Sequence, residues 1–180
     1  MDSQAQRAST LALRRAMSCA QRKEAERRII ARLLPRLQDA ACIGMYMAQG
    51  SEVSLDALLA LLPQKTLAAP VCAAGGIMCF HEIMGPDRFA LSAMKIREPQ
   101  GGQLIRPQAL DVILVPLVAF DAQCRRLGHG AGYYDRYLAQ TDALRLGVGF
   151  ACQKVDAIHA LPHDIAMDLI VTEEEILSQA

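Results

Sequence analysis

Apolar residues recur at helical spacing through the first forty positions of the chain. Leu11, Met17, Ile29, Leu33 and Leu37 stand among arginine, lysine and glutamate residues, so an apolar face alternates with a charged one. Apolar positions three or four residues apart are typical of an amphipathic helix. The sequence therefore predicts a helical N-terminus.

Two local signals divide this helical region. Ser18 followed by Gln21 has the form of a capping box, which predicts that a second helix begins there after a break. Pro35 predicts that this second helix ends or kinks near residue 34, because proline has no amide hydrogen to donate. The arginines of the second helix are interpreted as a solvated face. An RNA-binding arm is the alternative, which the interleaved Glu24 and Glu26 disfavour.

Beyond residue 40 the pattern changes to short apolar runs separated by polar or glycine-containing turns. We predict strands at residues 42–47, 66–71, 77–81, 111–115, 144–150 and 168–171, and helices at residues 55–62, 133–140 and 173–178. A polar stretch with proline and glycine follows the third strand through Gly102. Strands that alternate with helices favour an α/β layered fold with a largely parallel sheet. Ligands bind such sheets beyond the carboxyl ends of the strands.

The most informative segment follows the clearest buried strand and reads Arg-Leu-Gly-His-Gly-Ala-Gly-Tyr-Tyr-Asp-Arg from Arg126 to Arg136. Its three alternate glycines, Gly128, Gly130 and Gly132, allow φ > 0 and leave no Cβ to block a ligand. Successive N–H groups can then cradle an anion, and the following helix adds the positive end of its dipole. The segment therefore predicts a phosphate site.

Flanking charges decide between a phosphate site and an ordinary tight turn, which the glycine spacing alone fits equally well. Arg126 and Arg136 offer charge-assisted hydrogen bonds to phosphate, and Asp135 offers the hard oxygen ligand that Mg²⁺ prefers. These three side chains favour the phosphate site. The segment is neither a Walker A loop, since no Gly-Lys-Ser/Thr ends it, nor a dinucleotide-binding fingerprint.

Composition and charge exclude several classes of protein. The chain has 180 residues, 52% of them hydrophobic and 21% charged, which suits a single globular domain over residues 1–180. Lys plus Arg equals Asp plus Glu at 19 each, so no net charge draws the protein to nucleic acid or anionic lipid. Runs of apolar residues are too short to span a bilayer, and arginines interrupt the N-terminus where a signal peptide would be apolar.

Cysteine usage indicates the compartment. The six cysteines form no CxxC pair and no cluster with histidine at zinc spacing. Reduced thiols in apolar segments are typical of a reducing compartment. We therefore expect a cytoplasmic protein. The zero net charge and the lack of a spanning segment predict no nucleic-acid or membrane partner, and we expect a monomer.

Phe120-Asp121 and the segment from Arg126 to Arg136 together resemble the signature of the 5-formyltetrahydrofolate cyclo-ligases, also called methenyltetrahydrofolate synthetases. The resemblance covers nearly the whole chain. Supporting matches, in chain order, are Gly50-Ser51-Glu52-Val53, Pro70, Ile96-Arg97-Glu98-Pro99, residues 111–116, Gly147-Val148-Gly149-Phe150, Gln153, His163-Asp164 and Val171-Thr172-Glu173.

The resemblance implies a three-layer α/β/α sandwich and an ATP-dependent cyclo-ligase. The implied reaction converts 5-formyltetrahydrofolate and ATP into 5,10-methenyltetrahydrofolate, ADP and phosphate, with Mg²⁺ as cofactor and no protein nucleophile. The resemblance assigns ATP binding to Arg7, Arg126, Leu127, Gly128, His129, Gly130, Ala131, Gly132, Tyr133 and Tyr134. It assigns folate contacts to Met47, Glu52, His129, Gly130, Ala131, Gly132 and Tyr133, and Mg²⁺ binding to Asp135 and Asp164.

Several positions depart from the family pattern, among them Ser3 and Cys124. Ser3 stands where many members carry a lysine, four residues before Arg7, and Cys124 stands where glycine is usual. With one cation fewer on the phosphates we expect weaker ATP binding, unless Arg14, Arg125 or Arg136 substitutes.

Several of the residues assigned to the site also fit purely structural roles, and the protein has two further candidate functions. Glu52 fits a cap for the following helix, Met47 ordinary core, Asp164 a loop or cap residue, and Tyr134 an anchor of its helix on the sheet. A catalytically silent folate- or nucleotide-binding protein of the same fold is the second candidate function, motivated by Ser3. A sugar-phosphate isomerase or CoA-transferase-like enzyme is the third, and no catalytic carboxylate motif supports it.

Overall fold

The computed structural model describes residues 3–73, 76–93, 95–161 and 164–179. The described residues form four α-helices: Ser3–Ala16 (α1), Cys19–Leu37 (α2), Ala57–Leu61 (α3) and Tyr133–Leu138 (α4). They form twelve strands: Cys42–Gly44 (β1), Thr66–Ala73 (β2), Ile77–Glu82 (β3), Phe89–Leu91 (β4), Arg97–Pro99 (β5), Leu104–Ile105 (β6), Val112–Pro116 (β7), Ala119–Phe120 (β8), Arg126–Leu127 (β9), Leu144–Val148 (β10), Leu169–Val171 (β11) and Ile176–Ser178 (β12). Short 3₁₀ turns span Pro107–Ala109 and Ala151–Gln153.

Eight strands form one central sheet in the order β12-β11-β10-β7-β1-β2-β3-β6. The five strands from β11 to β2 run parallel, whereas β12 at one edge, and β3 and β6 at the other, pair antiparallel with their neighbours. Two hairpins, β4-β5 and β8-β9, lie outside this sheet. The predicted α/β fold with a largely parallel sheet is confirmed.

The residues of β7 show why the sheet is covered on both faces. Val112 and Leu114 lie in one apolar core with residues of α2 and α3, whereas Ile113 and Val115 lie in a second core with residues of α4. Successive side chains of a strand point to opposite faces, and strands of a parallel sheet covered on both sides are apolar throughout. Helices above and below the sheet give the three layers that the resemblance implied.

The N-terminal helices follow the predicted boundaries with one correction. The Ser18 hydroxyl accepts the Gln21 N–H at 3.2 Å and the Gln21 side chain accepts the Ser18 N–H at 2.8 Å, so the capping box is present. The prediction was an end or a kink near residue 34. The helix does not end there, because α2 continues through Pro35 to Leu37. Leu37 is fully buried. The free energy gained by burying it outweighs the loss of the backbone hydrogen bond that Pro35 cannot donate.

The predicted closing helix at residues 173–178 is also wrong. Thr172 begins a tight turn, in which its N–H donates to the Glu175 carbonyl oxygen at 3.0 Å. Residues Ile176 to Ser178 then return as β12, antiparallel to β11. The ladder with β11 satisfies these backbone groups better than an isolated turn of helix at the end of the chain would.

Candidate active site

A cavity of about 1040 Å³ opens beyond the carboxyl ends of β1, β2 and β7. Its walls come from the N-terminal part of α1, from the segment after β1, and from the loop between β9 and α4. This loop holds the three alternate glycines, and we call residues 128–132 the glycine loop. The cavity lies where an open α/β sheet binds its ligands.

The residues that the sequence singled out converge on this cavity. Those that line it are Arg7, Met47, Glu52, Arg126, Leu127, Gly128, His129, Gly130, Ala131, Gly132, Tyr133, Tyr134, Asp135 and Asp164. Ser3 and Arg136 line it as well. His163, which belongs to the supporting matches, lies outside the described residues.

The glycines of the loop serve different geometric purposes. Gly130 and Gly132 take φ of 95° and 67°, in the left-handed region that disfavours a side chain. Gly128 does not need a positive φ, contrary to the expectation for all three glycines. A Cβ there would lie 2.8 Å from Nη1 of Arg126, so Gly128 provides room for the guanidinium.

A short hairpin delivers Arg126 to the cavity wall. In its turn the fully buried Asp121 accepts the N–H groups of Gln123 and Arg125, and its Oδ2 accepts the Ile158 N–H at 2.9 Å. Cys124 takes φ of 57° in this turn, a conformation that explains why glycine suits the position. The strand β9 follows at once and ends at the glycine loop.

Three arginines lie beside the glycine loop, and two of them donate hydrogen bonds to it. Nε of Arg7 donates to the Gly128 carbonyl oxygen at 2.7 Å, which ties α1 to the loop. Nη2 of Arg136 donates to the Ala131 carbonyl oxygen at 2.9 Å. Arg126 is 8% exposed, and its Nη2 lies 2.7 Å from Oδ1 of Asp135. Arg7 and Arg136 therefore bring positive charge to the loop, whereas the charge of Arg126 is paired with Asp135.

The other arginines proposed as substitute cations do not reach this cavity. Arg125 pairs with Asp121, with Nε 2.7 Å from Oδ2. Arg14 is 4% exposed and donates to Ser51 instead of lining the cavity. Of the three arginines considered, Arg136 is the one whose side chain belongs to the site.

Glu52 and His129 join the two sides of the cavity. Oε1 of Glu52 lies 3.1 Å from Nε2 of His129, and Oε2 accepts the Gln49 N–H at 2.9 Å. Glu52 therefore does not cap α3, whose N-terminal capping position is Asp56. Met47 is 2% exposed, so it belongs to the apolar core while it also lines the cavity.

Tyr134 brings a neutral hydroxyl to the cavity wall. Burial raises the pKa of this phenol well above its ordinary value, and the negative charge of Glu52 raises it further. The hydroxyl has no hydrogen-bond partner among the described residues, and the ring lies under the guanidinium of Arg126 at 5.8 Å. A hydrogen-bond donor is thus available beside Arg126.

Asp135 and Asp164, the carboxylates to which the resemblance assigns Mg²⁺, both line the cavity. Oδ1 of Asp135 is shared by Arg126 and the Ile165 N–H, and Oδ2 of Asp164 accepts the Leu161 N–H at 2.7 Å. Among the described residues there is no group of three or more His, Cys, Asp or Glu side chains suited to a metal ion. Two carboxylates are the usual protein share of a Mg²⁺ site that nucleotide phosphates complete, so the donor set fits that ion.

Sequence reasoning missed several residues of the cavity wall. Tyr46, Gln49, Cys72, Met78 and Ile165 all line it. Tyr46 and Gln49 come directly after a parallel strand, and Cys72 lies near the end of the next strand in the sheet. The rule that ligands bind beyond the carboxyl ends of strands was the signal that could have found these three.

The fold and the cavity define an α/β protein whose glycine loop lies at the carboxyl edge of its sheet. Residues 1–173 match the family described as the 5-formyltetrahydrofolate cyclo-ligase family. The chain belongs to that family and is a ligase. No helix in the described part of the chain is both long enough and apolar enough to cross a membrane.

Individual relatives show the same likeness. The 5-formyltetrahydrofolate cyclo-ligase of Escherichia coli K12 is 28% identical over 174 residues, which cover 91% of this chain and 96% of that protein. An NMR structure of the Aquifex aeolicus 5,10-methenyltetrahydrofolate synthetase superimposes with a TM-score of 0.89 at 29% identity, over 99% of this chain and 93% of the other. The structure of the Mycoplasma pneumoniae 5,10-methenyltetrahydrofolate synthetase gives a TM-score of 0.81 at 28% identity, over 96% and 99%.

Proposed function

We propose that the protein converts 5-formyltetrahydrofolate and ATP into 5,10-methenyltetrahydrofolate, ADP and phosphate, with Mg²⁺. The observation that carries this proposal is that one cavity of about 1040 Å³ is lined both by the glycine loop and Arg126 and by Met47 and Glu52. One side suits a triphosphate and the other an apolar ring with polar edges. The volume is at the upper end of the range for small-molecule sites, as two substrates require.

The chemistry needs alignment more than it needs a protein nucleophile. The formyl group on N5 is an amide-like carbonyl, whose oxygen is a poor leaving group. Its oxygen attacks the γ-phosphorus, an O–P bond forms, and the bond from phosphorus to the ADP oxygen breaks. N10 then attacks the formyl carbon, the C–O bond breaks to release phosphate, and the N10 proton goes to phosphate or water. A site that holds both substrates in line supplies most of the acceleration.

The residues of the chain take the following parts in this reaction. N–H groups of the glycine loop, Arg7 and Arg126 bind the phosphates and stabilise the charge that develops on them. Glu52 binds polar groups of the pterin, Met47 packs against its ring, and His129 to Tyr133 face the formyl group. The burial of Glu52 and Met47, at 8% and 2% exposure, supports a fixed position for the folate.

Asp135 and Asp164 would hold Mg²⁺ against the phosphates. The ion supplies charge neutralisation on the transferring phosphoryl group when it is bound. Asp135 also pairs with Arg126, with 2.7 Å between the closest atoms. This pair would have to separate for Arg126 to bind phosphate and for Asp135 to hold the metal.

The test is direct. Purified protein is mixed with 5-formyltetrahydrofolate and Mg-ATP, and the methenyl chromophore is followed by absorbance while ADP is measured in parallel. The proposal predicts one ADP for each methenyl product. A protein that forms neither product is not a cyclo-ligase of this kind.

A silent folate- or nucleotide-binding protein is the second candidate, and one observation favours it. Ser3 lines the cavity at the place where many members of the family carry a cation. Binding of 5-formyltetrahydrofolate or ATP without turnover would support this candidate. Ser3→Lys then distinguishes a weakened enzyme, which gains turnover, from a silent one, which does not.

We also propose that residues 1–180 act as one domain, as a cytoplasmic monomer without nucleic-acid or membrane partners. The six cysteines, all free thiols, suit a reducing compartment. Light scattering after size exclusion checks the oligomeric state, since a monomer has a mass of 19.6 kDa.

A further inference from the structure

The buried face of α1 is polar. Its buried residues are Gln6, Thr10 and Arg14, which lie four residues apart along one face of the helix. Gln6 donates to the Ala157 carbonyl oxygen at 2.7 Å, and Thr10 bonds back to its own helix. Arg14 is the charged member of the set, and it is 4% exposed.

The Arg14 guanidinium joins three parts of the molecule. Nε donates to Oγ of Ser51 at 2.9 Å, and Nη1 donates to the Leu117 carbonyl oxygen at 3.5 Å. Ser51 directly precedes Glu52 in the turn after β1, and Leu117 directly follows β7. The turn that carries Glu52 is therefore tied by Arg14 to the end of the central strand β7.

Burial of the Arg14 guanidinium costs free energy unless a negative charge lies nearby. Burial lowers the pKa of Arg14, and Glu52 makes the largest opposing contribution. Arg14 forms no ion pair with a carboxylate among the described residues, since its hydrogen bonds go to a hydroxyl and a carbonyl. Glu52 is itself 8% exposed, so the two opposite charges lie in the same poorly solvated region, one behind the cavity wall and one in it.

We propose that Arg14 is a positioning residue for Glu52: it holds Ser51, and through the Ser51–Glu52 peptide it sets the place of the carboxylate that receives the folate. This inference rests on the proposed function, in which Glu52 binds the pterin. Arg14 does not line the cavity. The ATP side of the cavity is held by other contacts, through Arg7, Arg126 and Arg136.

Arg14→Met tests this role, with Arg15→Met as the matched control on the exposed face of the same helix. Loss of a buried charged hydrogen bond predicts that the Kd and KM for 5-formyltetrahydrofolate rise about tenfold, while the KM for ATP changes less than about twofold. Arg14→Lys keeps one donor and should restore part of the folate affinity. Arg15→Met should behave like the unaltered protein in both constants.

A second variant and a double substitution guard against a merely structural effect. Ser51→Ala removes the acceptor without altering α1, and it carries the test if Arg14→Met does not fold. Arg14→Met combined with Glu52→Gln should bind folate no more weakly than Glu52→Gln alone, because both changes disable the same contact. Additive losses, an equal rise in both KM values, or unchanged folate binding in Ser51→Ala would each overturn the proposal.

Folate binding measured by calorimetry without ATP separates this inference from the proposed reaction. If the unaltered protein binds 5-formyltetrahydrofolate but makes no methenyl product, the proposed reaction fails while the Kd series still decides the role of Arg14. If the unaltered protein binds no folate, both the proposed function and the role of Arg14 are refuted.

Discussion

Asp135 and Arg126 neutralise each other at the edge of the glycine loop. Their closest atoms lie 2.7 Å apart, and both side chains are largely buried, at 20% and 6% exposure. A buried ion pair of this kind loses much of its attraction to desolvation. A phosphate can therefore replace Asp135 as the partner of Arg126, and a doubly charged metal can replace Arg126 as the partner of Asp135. The pair is therefore the point at which nucleotide binding would change the site.

Asp135→Asn should lower turnover most strongly at limiting Mg²⁺, because the amide is a poorer ligand for a hard cation. Binding of 5-formyltetrahydrofolate should change little. Asp56→Asn is the control, since Asp56 also pairs with an arginine, Arg97, at 2.6 Å but outside this cavity. Turnover measured against Mg²⁺ concentration decides: an Asp135→Asn curve that overlays the Asp56→Asn curve would refute the metal role.

Gly132→Ala should impair ATP use more than it impairs folding. Its φ of 67° costs a side chain roughly 1 kcal/mol, and the new Cβ would lie 2.8 Å from Nη1 of Arg136. Gly101→Ala is the matched control, with φ of 76° and no neighbouring atom within 4 Å of the added Cβ. Thermal unfolding should show similar losses for both variants. A rise in the KM for ATP of about tenfold should be confined to Gly132→Ala, and equal kinetics would contradict the role of the loop.

Site residues were predictable where one short segment contains the residue types that a phosphate site requires. The glycine loop with Arg126 and Asp135 combines backbone freedom with opposite charges in one short segment. Arg14 and Ser51 could not be found in this way, because they lie 37 positions apart and meet only in the folded chain. Such long-range polar pairs leave no periodic or local signal in the sequence.

The elements were predicted well where apolar residues mark them clearly, at helical spacing in α2 and in continuous runs in β2 and β7. Prediction failed where pairing decided the structure. The residues of β12 were predicted to form a helix. Their pairing with β11 makes them a strand instead. The β4-β5 hairpin was hidden in the polar stretch for the same reason, since its two strands have three residues each.

The junction of β10 and β11 contains a carboxylate that links stability to pH. Burial alone would raise the pKa of Asp168, but hydrogen bonds from the Arg145 side chain and backbone outweigh it and lower the pKa below its ordinary value. A lowered pKa in the folded state stabilises the fold at pH values above the unfolded pKa of about 3.9, and that stabilisation is lost as the pH falls.

Asp168→Asn should therefore reduce the free energy of unfolding at pH 7 and have little effect near pH 2. Asp142→Asn, at an exposed position, is the control and should track the unaltered protein throughout. Urea unfolding at a series of pH values provides the measurement. A difference between Asp168→Asn and the unaltered protein that stays constant with pH would contradict the linkage.

At the scale of the whole molecule, the cavity is assembled from distant parts of the chain. Arg7 reaches the glycine loop across 121 positions, and Gln6 reaches Ala157 across 151. The central sheet brings these parts together, because the segments after β1 and β7 leave from neighbouring strands. The N-terminal helix then closes one wall through polar contacts, so the two substrate sides meet only in the complete fold.

A crystal structure with 5-formyltetrahydrofolate and a non-hydrolysable ATP analogue would test the proposed reaction most directly. We expect the triphosphate on the glycine loop, against Arg7 and Arg126, with the γ-phosphorus facing the formyl oxygen and the pterin at Glu52. A triphosphate bound elsewhere, or a formyl group turned away from it, would refute the proposed phosphoryl transfer.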